Sequence, residues 1–153
     1  MDIYNYLKKD HRKVAAMMDE LIATKDSEAR QSLFKQIKME LTLHADTEEV
    51  TFYKAIDDAT RSKAVEEKLE HADEEHDEIR DYLEKLSVLS IESEAWMEQF
   101  GEFKHSVTHH VDEEEGEIFE KAKKYLTDKQ AKDLAVEMDA LKKEQMAKMQ
   151  KAA

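Results

Sequence analysis

Apolar residues recur every three or four positions along almost the whole chain, the spacing of one buried face of a helix. The stripe Tyr4, Leu7, His11, Val14, Met18, Leu21 predicts a first helix from about Asp2, a suitable N-cap, to about Thr24. Ile37, Leu41, His44, Glu48, Phe52 and Ala55 mark a second, ending near Asp57 and Asp58. Leu69, Ala72, His76, Ile79, Leu83 and Leu86 mark a third, after a weak connection at Ala59 to Lys63. Trp96, Phe100, Phe103, Val107, His110, Glu114 and Ile118 mark a fourth, with Ser90 or Ser93 as its cap. Thr127 with Gln130 three residues on is a capping-box pattern that opens a fifth helix. That helix carries Leu134, Met138 and Leu141 on one face and many lysines on the other.

Short breaks between long amphipathic helices make neighbours antiparallel. The expectation is an all-α, up-down-up-down four-helix bundle over residues 1–126. Residues 127–153 add a C-terminal helix packed on the bundle or on an oligomer partner, with a homodimer through that helix as one outcome. Composition strengthens this reading: Pro is absent, Gly occurs only at Gly101 and Gly116, and 40% of residues are charged. Strands and hairpins need turn residues that this chain lacks.

The net charge of −13 opposes binding to nucleic acid or to anionic membranes, both of which attract basic surfaces. No apolar run is long enough to span a bilayer, and Met1-Asp2-Ile3-Tyr4 does not read as a signal peptide. Without Cys there is no disulfide, no thiolate ligand and no Cys nucleophile, which fits a cytoplasmic protein.

The helices form two related pairs. The segment around His11 (Asp10 to Val14, then Met18 and Leu21) returns around His76 (Glu75 to Ile79, then Leu83 and Leu86), offset by 65 residues. The segment His44 to Glu49, with Phe52 and Tyr53, returns as His110 to Glu115, with Ile118 and Phe119, offset by 66 residues. A pseudo-twofold axis should then bring His11, His44 and Glu48 to face His76, His110 and Glu114.

Those six ionisable residues sit on stripes that should be apolar, because unpaired buried charge is costly. Two divalent cations would compensate them, since imidazole and carboxylate are good ligands for iron, manganese or zinc. His44 and Glu48 are four apart, as are His110 and Glu114, so each pair points from one helix face at one spot. The carboxylates can bridge, and positions left open on the metals admit water, hydroxide or a small ligand. His109 and Glu113 form a competing four-spaced pair, but the stripe and the repeat favour His110 and Glu114. His71, His105 and His109 fall off the stripes and read as surface or supporting residues. Tyr4 and Tyr53 read as amphipathic core-edge residues within reach of the centre. Gly116 suggests a close helix approach.

The set His11, His44-x-x-x-Glu48, His76, His110-x-x-x-Glu114, with its flanking words, resembles the hemerythrin-like family, the HHE cation-binding domain. The resemblance runs to about Lys124. It implies a non-haem diiron site with an oxo or hydroxo bridge, and a role in binding dioxygen, sensing oxygen or iron, or handling peroxide or nitric oxide. The oxygen-carrying members have a fifth histidine four residues before the His76 equivalent. Ala72 stands there, which argues against a simple carrier. Many members also have Pro where this chain has Lys54 and Glu120, so its helices are expected to run on. The ferritin-like alternative needs two Glu-x-x-His motifs, and only Glu102-x-x-His105 qualifies. The functional expectation is a diiron protein that binds or reacts with dioxygen, peroxide or nitric oxide. The alternative is a metal- or oxygen-responsive module read out through the fifth helix, without turnover. No separate acid or base marks it as an enzyme.

Overall fold

The computed structural model describes residues 1–152. Helix α1 spans Ile3–Ala23, α2 Ser27–Glu48, α3 Lys54–Ala59, α4 Lys63–Val88, α5 Glu94–Glu113, α6 Phe119–Tyr125 and α7 Asp128–Ala152. Helices α2 and α3 form one rod through a π-helical turn at Glu49–Tyr53. A matching turn at Glu114–Ile118 joins α5 to α6. Four rods build the expected helical bundle, with no strand among the described residues. Short polar side chains set the rod starts by accepting from the backbone of the first turn. Asp2 caps α1, Asp26 α2, Ser62 α4 and Ser93 α5. Thr127 and Gln130 form the reciprocal capping box before α7, at 3.1 and 2.8 Å.

The predicted stripes of α1, α4 and α5 are buried throughout. The π turns shift the second rod by one residue. Ile56 is buried in place of Ala55, and both Phe52 and Tyr53 turn inward. A π turn holds one extra residue, so a period of 3.6 read straight through it fails afterwards. The same turn places Ile118 and Phe119 together in the core.

The interior has two apolar halves. One holds Ile3, Tyr4, Leu7, Phe52, Phe119 and their neighbours, and α7 adds Ala131, Leu134 and Met138 to it. The other holds Val14, Met18, Leu21, Trp96, Phe100 and Phe103, where Trp96 Nε1 donates to Leu86 O at 2.9 Å. The stripe histidines and glutamates lie between these halves in sequence on every rod. Gly116 makes no close approach: a Cβ there would meet nothing within 4 Å. On α7 the lysine face is not wholly solvated, because Lys142 is buried while Leu141 is only partly so.

Candidate metal centre

The four rods each supply one or two ionisable side chains to the layer between the apolar halves. His11 comes from α1, His44 and Glu48 from α2, His76 from α4, and His110 from α5 with Glu114 at the following turn. All six are buried, and both glutamates are wholly inaccessible. Two groups of ligand atoms, each within 4.8 Å of one another, emerge: His11, His44, Glu48, Glu114 and His76, His110, Glu48, Glu114. Each histidine pair comes from one half of the repeat, and both glutamates are common to the two groups.

The atoms that converge have no partners of their own. The Nε2 atoms of all four histidines, both oxygens of Glu48 and Oε1 of Glu114 are buried without a hydrogen bond. Buried polar atoms normally find one, so seven left bare at one point need another explanation. Glu48 Oε1 lies 3.2 Å from His76 Nε2 and 3.5 Å from His44 Nε2. Glu114 Oε1 lies 3.2 Å from His11 Nε2, and Oε2 lies 3.4 Å from His110 Nε2. Imidazole nitrogens and carboxylate oxygens that converge on one point are the donors that metal cations take. The residues therefore fit bound metal.

The outer nitrogen of every histidine meets a carboxylate. His11 Nδ1 is 2.8 Å from Glu115, His44 Nδ1 3.2 Å from Asp10, His76 Nδ1 2.7 Å from Glu49 and His110 Nδ1 2.9 Å from Glu75. A carboxylate on Nδ1 keeps the proton there and leaves Nε2 as a lone pair for a metal. These four acids obey the repeat: Asp10 corresponds to Glu75, and Glu49 to Glu115. The stripe argument missed them because they sit one residue off the buried face. Their position beside His11, Glu48, His76 and Glu114 in both copies was the available signal. Arg80 anchors Glu49 at 2.9 Å, and Lys142 of α7 reaches Asp10 at 2.6 Å.

One feature breaks the symmetry. The Tyr53 hydroxyl donates to Glu114 Oε2 and its ring stacks on His76, with centroids 5.5 Å apart. Tyr53 is thus part of the centre rather than an edge residue. Its repeat equivalent is Phe119, which has no hydroxyl to offer Glu48. Tyr4 instead packs edge-on against Phe52 and Phe119, and its hydroxyl has no hydrogen-bond partner.

Electrostatics of the metal-free layer follow from this asymmetry. Burial disfavours ionisation of Glu114, but pairing with His11 and His110 overcomes it and holds the carboxyl well below its ordinary range. Burial and the Glu114 charge both push Glu48 well above that range. Burial also lowers His11 and His110, yet Glu114 outweighs it and raises each to about 9. His44, where burial dominates, falls to about 4. Burial pushes Asp10 up, but His44 and Lys142 bring it down to about 2.

His71 and His109 lie outside this layer, with side chains 51% and 64% exposed, and His105 is exposed too. Beside the six-residue layer is a cavity of about 20 Å³ lined by the histidines and by Val14, Leu41, Ile79 and Val107.

Fold and centre together define a helical-bundle protein with a buried layer of histidines and shared glutamates able to hold cations. The family profile of the hemerythrin HHE cation-binding domain matches residues 2–122, and the chain belongs to that family. A crystal structure of a hemerythrin HHE cation-binding domain-containing protein from Mycobacterium kansasii has the same fold. Its TM-score is 0.82 and its identity 24%, over 94% of this chain and 86% of that one. A protein described as a DNA nickase, from Nostoc sp. (strain PCC 7120), is 28% identical over 142 residues. The match takes in 93% of this chain but only 39% of the length of that relative.

Proposed function

We propose that this chain is a non-haem diiron protein whose buried centre binds or reacts with a small ligand such as dioxygen, peroxide or nitric oxide. The observation that carries the reading is the pair of ligand groups sharing Glu48 and Glu114. His11 and His44 would hold one ion and His76 and His110 the other, with Glu48 and Glu114 available to both. Manganese or zinc could occupy the same donors. An oxo- or hydroxo-bridged iron pair would supply a redox-active, Lewis-acidic centre with open positions.

The protein's own groups do the rest. Asp10, Glu49, Glu75 and Glu115 orient the four rings. Tyr53 holds its proton against Glu114. Val14, Leu41, Ile79 and Val107 make the wall of a cavity of about 20 Å³, room for one water-sized or diatomic molecule and little more. That size favours a diatomic or peroxide over an organic substrate.

The nickase named for the Nostoc relative is not carried over. A net charge of −13 is the reverse of a nucleic-acid footprint, and most of that relative's length lies outside the match. A second reading, a metal- or oxygen-responsive module without turnover, draws support from Lys142. This residue ties α7 to Asp10, and through it to His44, so α7 can feel the state of the centre.

Metal analysis and absorption spectroscopy of protein purified from cells test the main reading. About two irons per chain and near-ultraviolet charge-transfer bands are expected. The bands should change when dioxygen, peroxide or nitric oxide meets the reduced protein. Metal-free protein whose stability is indifferent to His76→Ala would overturn both readings. Changes in α7 hydrogen exchange on ligand addition, without consumption of the ligand, would favour the second.

A further inference from the structure

The second half of the repeat carries an additional His-x-x-x-Glu pair on each of two neighbouring helices: His71 and Glu75 on α4, His109 and Glu113 on α5. Spacing of four puts each pair on one helix face. The two pairs meet across the α4–α5 interface, outside the buried layer. His71 Nε2 lies 3.6 Å from Glu75 Oε2 and 3.7 Å from Glu113 Oε2. His109 Nε2 lies 3.6 Å from Glu75 Oε2 and 3.5 Å from Glu113 Oε2. All four contacts use the same four atoms.

We propose that His71, Glu75, His109 and Glu113 form a further cation site that takes one divalent transition-metal ion through imidazole nitrogen and carboxylate oxygen. A ligand atom from each of His71, Glu75 and Glu113 lies within 4.8 Å of the other two, and His109 Nε2 adds the contacts to both carboxylates given above. The separations from Glu75 are too long for hydrogen bonds. Glu113 Oε2, moreover, is buried with no hydrogen-bond partner at all. An orphaned carboxylate oxygen facing two imidazole nitrogens is the condition that a metal relieves. The other Glu113 oxygen, Oε1, is held by Lys68 at 3.2 Å, and the other Glu75 oxygen, Oε1, is held by His110 at 2.9 Å. Both carboxylates are therefore fixed with their Oε2 atoms turned toward the histidines.

The repeat gives an independent reason to expect a cation here. The equivalents of His71, Glu75, His109 and Glu113 in the first half are Tyr6, Asp10, Leu43 and Thr47. That face is closed by α7, and the Lys142 ammonium sits 2.6 Å from Asp10. Asp10 and Glu75 play the same part, each bonded to a buried histidine. On the first half a built-in cation neutralises the acid. On the second, no helix covers the acid, and two imidazoles replace the residues that could not ligate.

The site uses none of the six buried residues and does not depend on the diiron reading. The test compares Zn²⁺ stoichiometry, by equilibrium dialysis, of the full wild-type chain and a His71→Ala, His109→Ala double variant. Both side chains are exposed enough that the fold should tolerate their loss, and circular dichroism checks this. Wild type should bind one more equivalent than the variant, half-saturated below about 1 mM. Because the readout is a difference, it holds whether the buried centre takes two ions, one or none. Co²⁺ in place of Zn²⁺ should give stronger visible absorption in wild type than in the variant, the difference belonging to the additional ion. Equal stoichiometry, or Co²⁺ absorption of equal intensity in the two proteins, overturns the proposal.

Discussion

Glu48 and Glu114 are equivalent in the repeat but should not be equivalent in the metal-free protein. Glu114 faces His11 and His110 and accepts from Tyr53, so it carries the negative charge of the pair. Glu48 has no hydroxyl partner, and burial and the Glu114 charge disfavour its ionisation. Replacing Glu48 with Gln introduces a similarly shaped neutral group where ionisation is already disfavoured and should change stability by less than about 1 kcal/mol. Glu114→Gln removes the counter-charge from two buried imidazoliums. Breaking a buried ion pair costs about 3–5 kcal/mol. Release of protons from the two rings limits the loss, so about 3 kcal/mol is expected by the same reasoning. Urea unfolding of wild type and both variants, after chelation of all metal and at pH 7, measures the difference. Equal losses, or a larger loss for Glu48→Gln, would refute the assignment of charge. With metal restored the contrast should vanish, because either substitution removes one shared ligand.

The metal-free protein should lose stability as pH rises above about 6.5, while on the acid side the contributions of His44 and Glu48 oppose each other. His11 and His110 are raised to about 9, so their contribution is whole below 6.5 and is lost as pH rises through 9. His44, lowered to about 4, contributes above 6.5 and loses that contribution as pH falls through 4. Unfolding midpoints from pH 6.5 to 9 check the alkaline limb, and a flat profile there would contradict it. Loading metal at pH 7 must displace the protons held on His11 and His110, so calorimetry in buffers of different ionisation enthalpy should show net proton release. Glu49→Ala frees the His76 ring and should weaken metal binding about 10- to 100-fold while the fold persists, as chelator competition would report. Gly101→Ala and Gly116→Ala meet open space and should each raise stability by up to about 1 kcal/mol in thermal unfolding.

The sequence alone determined the rods and the six-residue set. Those features rest on local spacing: a period of 3.6 fixes which residues share a helix face, and the repeat fixes which faces are equivalent. His110 and Glu114 could be chosen over His109 and Glu113 on that ground, and the structure buries the first pair and exposes His109. Tertiary structure alone decided what spacing cannot encode. The π turns after Glu48 and Glu114 reset the helical phase, which is why Tyr53 and Ile56 turn inward where the stripe predicted Ala55. The carboxylates on the four Nδ1 atoms come from neighbouring helices, so their roles depend on rod packing rather than on any one stripe. Lys142 is buried because α7 folds back on α1 and α2, and only there does its ammonium meet Asp10. The off-stripe histidines read as isolated surface residues in one dimension. Side by side on α4 and α5, with two fixed carboxylates between them, they acquire a chemistry that only the contact between helices creates.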